Sequence, residues 1–332
     1  METNQIDKTF WRGAPVLVTG GAGFIGSHLV EQLVSLGARV RVPHRPSDSI
    51  GFLDAVRDKI DLVQGDLKDL DFCRKAARGQ KVIMNLAAVV GGIEYNIAHP
   101  ASIFRDNMGI FMNVLEAARL EKVARFLTVS SACVYPRFCS LPTPEEDGFK
   151  DVPEPTNQGY GWAKRMEEFL SKSYAEEFGM KIAVARPYNA YGPRDNFDPK
   201  SSHVIAALVR RIVEGKNPLK VWGNGDNSRS FLYVKDFARG LILTAEKYAE
   251  ADPVNLGADE EIRIGDLVRL ICRLAGAAPK IVFDSSMPTG QPRRRCDTGK
   301  AERVLGFKTE YSLERGLKET IEWYQAARLA LK

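Results

Sequence analysis

Residues Ala14 to Gly26 read APVLVTGGAGFIG. Ala14–Thr19 is an apolar run of strand character, a glycine-rich turn follows, and a helical pattern runs on through Leu36. Strand, glycine turn and helix in that order make a glycine fingerprint credible as a dinucleotide-binding element. Gly20 permits the tight turn, Gly23 lets the backbone approach a pyrophosphate, and Gly26 lets the helix pack on the strand. The helix start, at Phe24 and Ile25, offers N–H donors and the positive end of a dipole to phosphate. The spacing is GxxGxxG rather than GxGxxG.

Outward from this turn the pattern repeats. A second strand, Ala38–Val42, ends in Pro43-His44-Arg45, where an NAD-binding fold usually carries an acid for the ribose 2′-hydroxyl. A cation there suits a 2′-phosphate, so Arg45 points to NADP(H) in preference to NAD(H). Asp61–Gly65 ends a third strand, and Asp66 and Leu67 are placed along the adenine. Lys81–Ala88 is another apolar strand whose end, at Ala87, approaches the cofactor. Ala101–Leu120 and Thr156–Phe178 read as long amphipathic helices, and Arg125–Ser131 and Lys181–Arg186 as strands. Alternation of this kind predicts an α/β fold with a doubly wound, Rossmann-type parallel sheet.

After Pro187 the texture turns to loops rich in Pro, Gly, Asn and Asp. Further short elements are expected: a helix over His203–Glu214, and strands at Ser230–Val234, Asp252–Gly257 and Lys280–Asp284. The division expected is a cofactor domain over 1–188, with a return near 233–260, and a smaller C-terminal α/β lobe over 189–332. Residues 1–13 read as a polar tail.

At 332 residues and 44% hydrophobic the chain can bury a sizeable core. The net charge of +5 suits an anionic small molecule and does not by itself suggest nucleic acid. Five cysteines without CxxC spacing indicate neither a disulfide framework nor a metal site. No leader and no apolar run of about 20 residues is seen. A cytoplasmic protein that takes no nucleic acid and no membrane is expected.

The chemistry gathers at Asn157–Lys164, NQGYGWAK. Tyr160 and Lys164 are four residues apart and share one helix face. A neighbouring ammonium favours the phenolate, so Lys164 is expected to draw the tyrosine below its usual pKa of about 10 and make it an acid/base.

With these pieces in order, the chain resembles the extended short-chain dehydrogenase/reductases, the NAD-dependent epimerase/dehydratase family, across nearly its whole length. VTGGAGFIGSHLV, NLAA, the strand-end serines, YxxxK and ARPYNAYGPRDN carry the resemblance. Within that family it looks most like the GDP-L-fucose synthase group, on Val90-Gly91-Gly92-Ile93, SSACVYP at 130–136 and DNFDPKSSHVI at 195–205. The resemblance implies that Ser131, Tyr160 and Lys164 do reductase chemistry, with Lys164 also holding the nicotinamide ribose. It implies that Cys133 and His203 are the base and acid of epimerisation. It further implies NADP(H), a GDP-linked 4-keto sugar as substrate, and a homodimer joined through the two long helices.

Alternatives stay open at each of these residues. Ser130 and not Ser131 could serve, since alternation sends the two side chains opposite ways. Cys139 could be the reactive thiol, and a cysteine at a strand end is often packing. His203 could simply start a helix. For the nucleotide sugar, Arg211, Trp222, Arg229 and Arg294 offer guanidinium forks for a diphosphate and a ring for stacking. The glycine turn looks as much like that of UDP-sugar 4-epimerases, which retain NAD. A 4,6-dehydratase would carry Asp-Glu where this chain has Ala132-Cys133. A GDP-heptose epimerase or reductase with one half-activity is a further reading, and a cofactor-sensing protein without turnover is another.

Overall fold

The structure, a computed structural model, describes residues 5–286 and 292–330. Six strands alternate with helices over residues 15–187: β1 (Pro15–Thr19), β2 (Arg39–His44), β3 (Ile60–Gln64), β4 (Val82–Asn85), β5 (Arg125–Val129) and β6 (Ile182–Pro187). With the strand Glu250–Leu256 they form one seven-stranded sheet. Its order is Glu250–Leu256, β6, β5, β4, β1, β2, β3, and every pairing is parallel. The chain winds outward through β2 and β3, then crosses back to β4. This leaves a switch point between the ends of β1 and β4, where ligands enter such sheets.

The expected Rossmann-type fold is therefore present, and side-chain alternation explains its layers. Val16 and Val18 of β1 face a core shared with Leu29 and Leu33 of the Phe24–Ser35 helix and Phe237, Leu241 and Ala245 of the Val234–Lys247 helix. Leu17 faces the opposite core, with Ile83 and Phe126, against Phe111, Val114 and Leu115 of the Pro100–Leu120 helix. The first of these cores also takes in Ala301, Leu305 and Phe307, so the chain returns to the sheet after residue 260 as well.

A third cluster belongs to a smaller lobe. Ile205, Leu208, Val209 and Ile212 recur at helical spacing on the Val204–Val213 helix. They pack with Leu267, Val268 and Ile271 of the Ile264–Leu274 helix, and with Leu317 and Ile321 of the Leu313–Ala330 helix. Two small sheets complete it: Leu219–Trp222 beside Ile281–Asp284, and Ser228–Ser230 between Glu261–Arg263 and Arg293–Arg294.

Two expectations need correcting. The polar tail contains a short helix, Lys8–Trp11, whose Trp11 is fully buried and donates from Nε1 to Glu246 at 2.8 Å. A large apolar side chain with one polar handle docks where both needs are met. The strand expected at Ser230–Val234 is broken at Phe231. Ser228–Ser230 and Leu232–Tyr233 join different sheets, and Val234 already begins a helix.

Candidate active site

The glycine turn closes as the sequence predicts. Gly20 has φ +66°, and a Cβ on Gly26 would lie 2.1 Å from the Gly20 carbonyl oxygen. Only glycine permits this approach of helix to strand. The Phe24–Ser35 helix starts at Gly23 with no side-chain cap and no acid in its first turn. Its first N–H groups are thus left to an anion, which fits a dinucleotide's phosphates. Phe24 and Ile25 pack their side chains on the core and contribute backbone at this end.

A residue the sequence reading passed over holds the switch point. Thr19, at the end of β1, donates to Asn85 at 2.6 Å and accepts from the Leu86 and Ala87 backbone N–H groups, both at 3.1 Å. Buried Asn107 pins the next residues, accepting from Val89 N–H at 2.9 Å and donating to its carbonyl at 3.0 Å. Asp66 caps its own turn by accepting from Lys68 N–H, and the Leu67 carbonyl accepts from Asn113.

Arg45 is where the geometry adds most to the cofactor reading. Its exposed guanidinium pairs with Asp48 at 2.8 Å, and Asp48 also accepts from the Arg45 N–H at 2.9 Å. The sequence reading found no acid after the second strand; folding brings one back to that corner. The hydrogen bond and charge of Asp48 raise the pKa of Arg45.

The residues expected to do reductase chemistry meet at the carboxyl end of β5. Ser130 is buried and turns away, donating to Glu168, while Ser131 caps the 3-10 turn Ala132–Val134 by accepting from Cys133 N–H at 3.1 Å. Tyr160 stands on the Gln158–Phe178 helix, and a hydrogen bond with Ser131 favours its phenolate. Lys164 Nζ lies 5.5 Å from the Tyr160 ring centre and donates to the Val129 carbonyl at 3.0 Å.

Here the expected pKa of the tyrosine is corrected. Burial pushes the Tyr160 phenol up to about 12, and Lys164 only partly offsets it. One reason is a neighbour the sequence reading overlooked. Glu167, three residues on, holds Lys164 at 2.8 Å, and both side chains are almost fully buried. Burial raises the carboxyl of Glu167 to about 7, against the pull of Lys164.

Glycine again sets the spacing. A Cβ on Gly161 would lie 2.6 Å from the Cys133 carbonyl oxygen, so this helix presses against the turn that carries the thiol. Arg165 braces the same turn, donating to the Val134 carbonyl at 2.8 Å. Asn157, at the start of the helix, has Nδ2 3.7 Å from the Cys133 sulfur. Cys139 is elsewhere, against Thr143 at 3.3 Å.

His203 starts the Val204–Val213 helix at an exposed position. The segment before it forms one wall of a cavity of about 370 Å³, with Lys200 and Ser201 facing Val90, Gly91, Gly92 and Tyr95.

Of the expected nucleotide-sugar contacts, Arg229 and Arg294 come together in register on neighbouring strands. Burial, then the charge of Arg294, lowers the pKa of Arg229 to about 10. Arg294 lies 5.8 Å from the Tyr188 ring, which is paired with Tyr135 beside the Cys133 turn. Arg293 and Arg295 instead meet Glu261 and Asp259. Trp222 is half exposed at the end of its strand, and Arg211 donates to the Lys220 carbonyl. Both belong to elements of the smaller lobe, the Val204–Val213 helix and the Leu219–Trp222 strand.

Among the described residues, no helix is long and apolar enough to cross a membrane. Residues 16–257 match the family model described as NAD dependent epimerase/dehydratase family. A GDP-L-fucose synthase of Sinorhizobium fredii is 34% identical over 316 residues, covering 93% of this chain and 95% of that protein. Among solved structures, the UDP-glucose 4-epimerase of Thermotoga maritima with UDP-glucose superposes with a TM-score of 0.85 at 28% identity. That match covers 96% of this chain and 100% of the other. A GDP-L-fucose synthetase from Naegleria fowleri bound to NADP gives 0.79 at 26% identity, covering 96% and 94%.

Proposed function

The chain belongs to the NAD dependent epimerase/dehydratase family, and from that premise we propose that it carries out NADPH-dependent 3,5-epimerisation and 4-reduction of a GDP-linked 4-keto-6-deoxy sugar, giving GDP-L-fucose. The observation that carries this reading is a thiol, Cys133, built into the same cluster as Ser131, Tyr160 and Lys164. A 4-epimerase has no use for a thiol base there. The similarity to named GDP-L-fucose synthases supports the substrate class.

A 4-keto group acidifies the hydrogens on C3 and C5. Cys133, as thiolate, removes one of these protons, and His203 returns a proton on the other face of the ring. The hydroxyls of Ser131 and Tyr160 hydrogen-bond O4 and hold the enolate charge there. The residues of the Gly20–Gly26 turn, Arg45, Asp66, Leu67, Ala87 and Lys164 would hold the dinucleotide, whose reduced nicotinamide supplies the hydride for C4 when bound. Tyr160 then gives its proton to the C4 alkoxide. A phenol kept protonated by burial is suited to donating in this direction. Arg229 and Arg294 take the diphosphate, and Trp222 and Arg211 are the further expected contacts of the nucleotide.

A paired assay on GDP-4-keto-6-deoxymannose tests the reading. Deuterium uptake at C3 and C5 without NADPH, lost in Cys133→Ser, and NADPH oxidation by the wild type are expected. Tyr160→Phe should lower reduction by about 10²–10⁴-fold. Interconversion of UDP-hexoses with retained NAD would sink it.

One observation favours a second reading of the cofactor. The carboxylate of Asp48 sits on Arg45 and could accept from a ribose 2′-hydroxyl, as in NAD binding. With NADPH, Arg45→Ala should weaken binding at least tenfold while leaving NADH unchanged. If Asp48→Asn instead weakens NADH alone, the enzyme uses NAD.

A further inference from the structure

The stretch before Tyr160 has a role that the acid/base cluster leaves unassigned. Asn157 opens the helix that carries Tyr160 and Lys164, yet its side chain does not cap that helix. Its Oδ1 accepts from Asn96 Nδ2 at 2.5 Å, and its Nδ2 is directed at the Cys133 sulfur, 3.7 Å away. Asn96 is itself buried and donates from the same Nδ2 to the Gly91 carbonyl at 3.0 Å. With its donor end fixed by two acceptors, Asn96 leaves Asn157 only one useful orientation, oxygen toward Asn96 and N–H toward sulfur.

We propose that Asn157 is a positioning residue for Cys133, its N–H, aimed by Asn96, favouring the thiolate and holding the sulfur where it takes the proton. The proposal deepens the reading of Cys133 as base and rests on it. In that step a substrate C–H bond beside the keto group breaks, an S–H bond forms, and the electron pair passes to O4. A donor on the sulfur stabilises the charged form before the step. The ionisable groups that sense the Cys133 charge are Tyr160 and Lys164, both on the helix that Asn157 begins. Asn157 supplies a neutral dipole at the sulfur that neither of them replaces.

Site-resolved alkylation of the whole protein with iodoacetamide measures this without turnover. In Asn157→Ala, the pH inflection for Cys133 should move up by about one unit, slowing alkylation about tenfold at neutral pH. Asn157→Asp, which sets a carboxylate against the sulfur, should move it further. Asn96→Ala, which frees the amide, should move it less than either. NADPH titration confirms that each variant is folded. An inflection unchanged in both Asn157 variants, with NADPH still bound, overturns the proposal. Deuterium exchange retained by Cys133→Ser overturns the reading of the thiol as base, whatever the alkylation gives, and removes the catalytic role of Asn157 with it.

Discussion

At the scale of single residues, the surprise is how firmly Lys164 is engaged. Its ammonium is divided between the Val129 carbonyl and Glu167, so less of its charge reaches Tyr160 than the four-residue spacing suggests. Glu167 is the titrating partner in this pair. Its folded-state pKa of about 7 lies above the ordinary carboxyl value, so the folded protein keeps a proton that the unfolded chain has lost. That contribution to stability is complete below about pH 4.5 and disappears as pH rises through about 7. In Glu167→Gln the component is gone, because the amide does not ionise. Urea titrations at pH 5 and pH 8 should therefore show the wild type losing on the order of 1–3 kcal/mol more than the variant between the two. An equal loss in both proteins would mean that Glu167 stays ionised throughout.

At the scale of elements, the decisive contact is between the Gln158–Phe178 helix and the turn Ala132–Val134. Gly161 makes it possible, since an added Cβ would meet the Cys133 carbonyl at 2.6 Å and Pro153 at 2.6 Å. Alanine is the better helix former by about 1 kcal/mol, so on an isolated helix Gly161→Ala would stabilise. Here the clash is with backbone, and overpacking of this kind costs about 1–3 kcal/mol. The steric cost wins, and the displaced turn carries the thiol with it. Gly161→Ala should lower the urea midpoint and reduce deuterium exchange more than tenfold, while NADPH binding changes little. A midpoint at or above that of the wild type would show that the turn can give way. Contacts like this one mark the limit of what the sequence conveys. The strand, glycine turn and helix at Ala14–Gly26 were legible because all their requirements are local. So was the four-residue pairing of Tyr160 with Lys164. Thr19 and Asn85 are 66 positions apart, Asn96 and Asn157 are 61, and Trp11 and Glu246 are 235. No periodicity reports such partners, because only the closed sheet brings them together. Glu167 differs, since three-residue spacing on a helix does report it.

At the scale of the whole molecule, the same two helices that back the site carry exposed apolar side chains on their outer faces. Pro100–Leu120 and Gln158–Phe178 lie side by side over the sheet. Phe104, Met112 and Phe169 stay exposed on them, Phe169 by 58% and Met112 by 48%. Grouped apolar side chains on a surface mark an interface, whereas scattered ones do not. The homodimer we propose would bury this face against its copy and make a four-helix contact between subunits. The inner side of one of these helices presents Tyr160 and Lys164, so the interface would stiffen the element that positions the acid/base pair. Phe169→Glu places a charge in the middle of that face, and burying it unpaired would cost several kcal/mol. Sedimentation equilibrium should then give the chain mass for the variant and twice that mass for the wild type. Activity of the variant should fall through a loosened Gln158–Phe178 helix, seen as faster amide hydrogen exchange over that helix while β1 and its glycine turn keep their protection. A variant that remains dimeric places the interface on another surface.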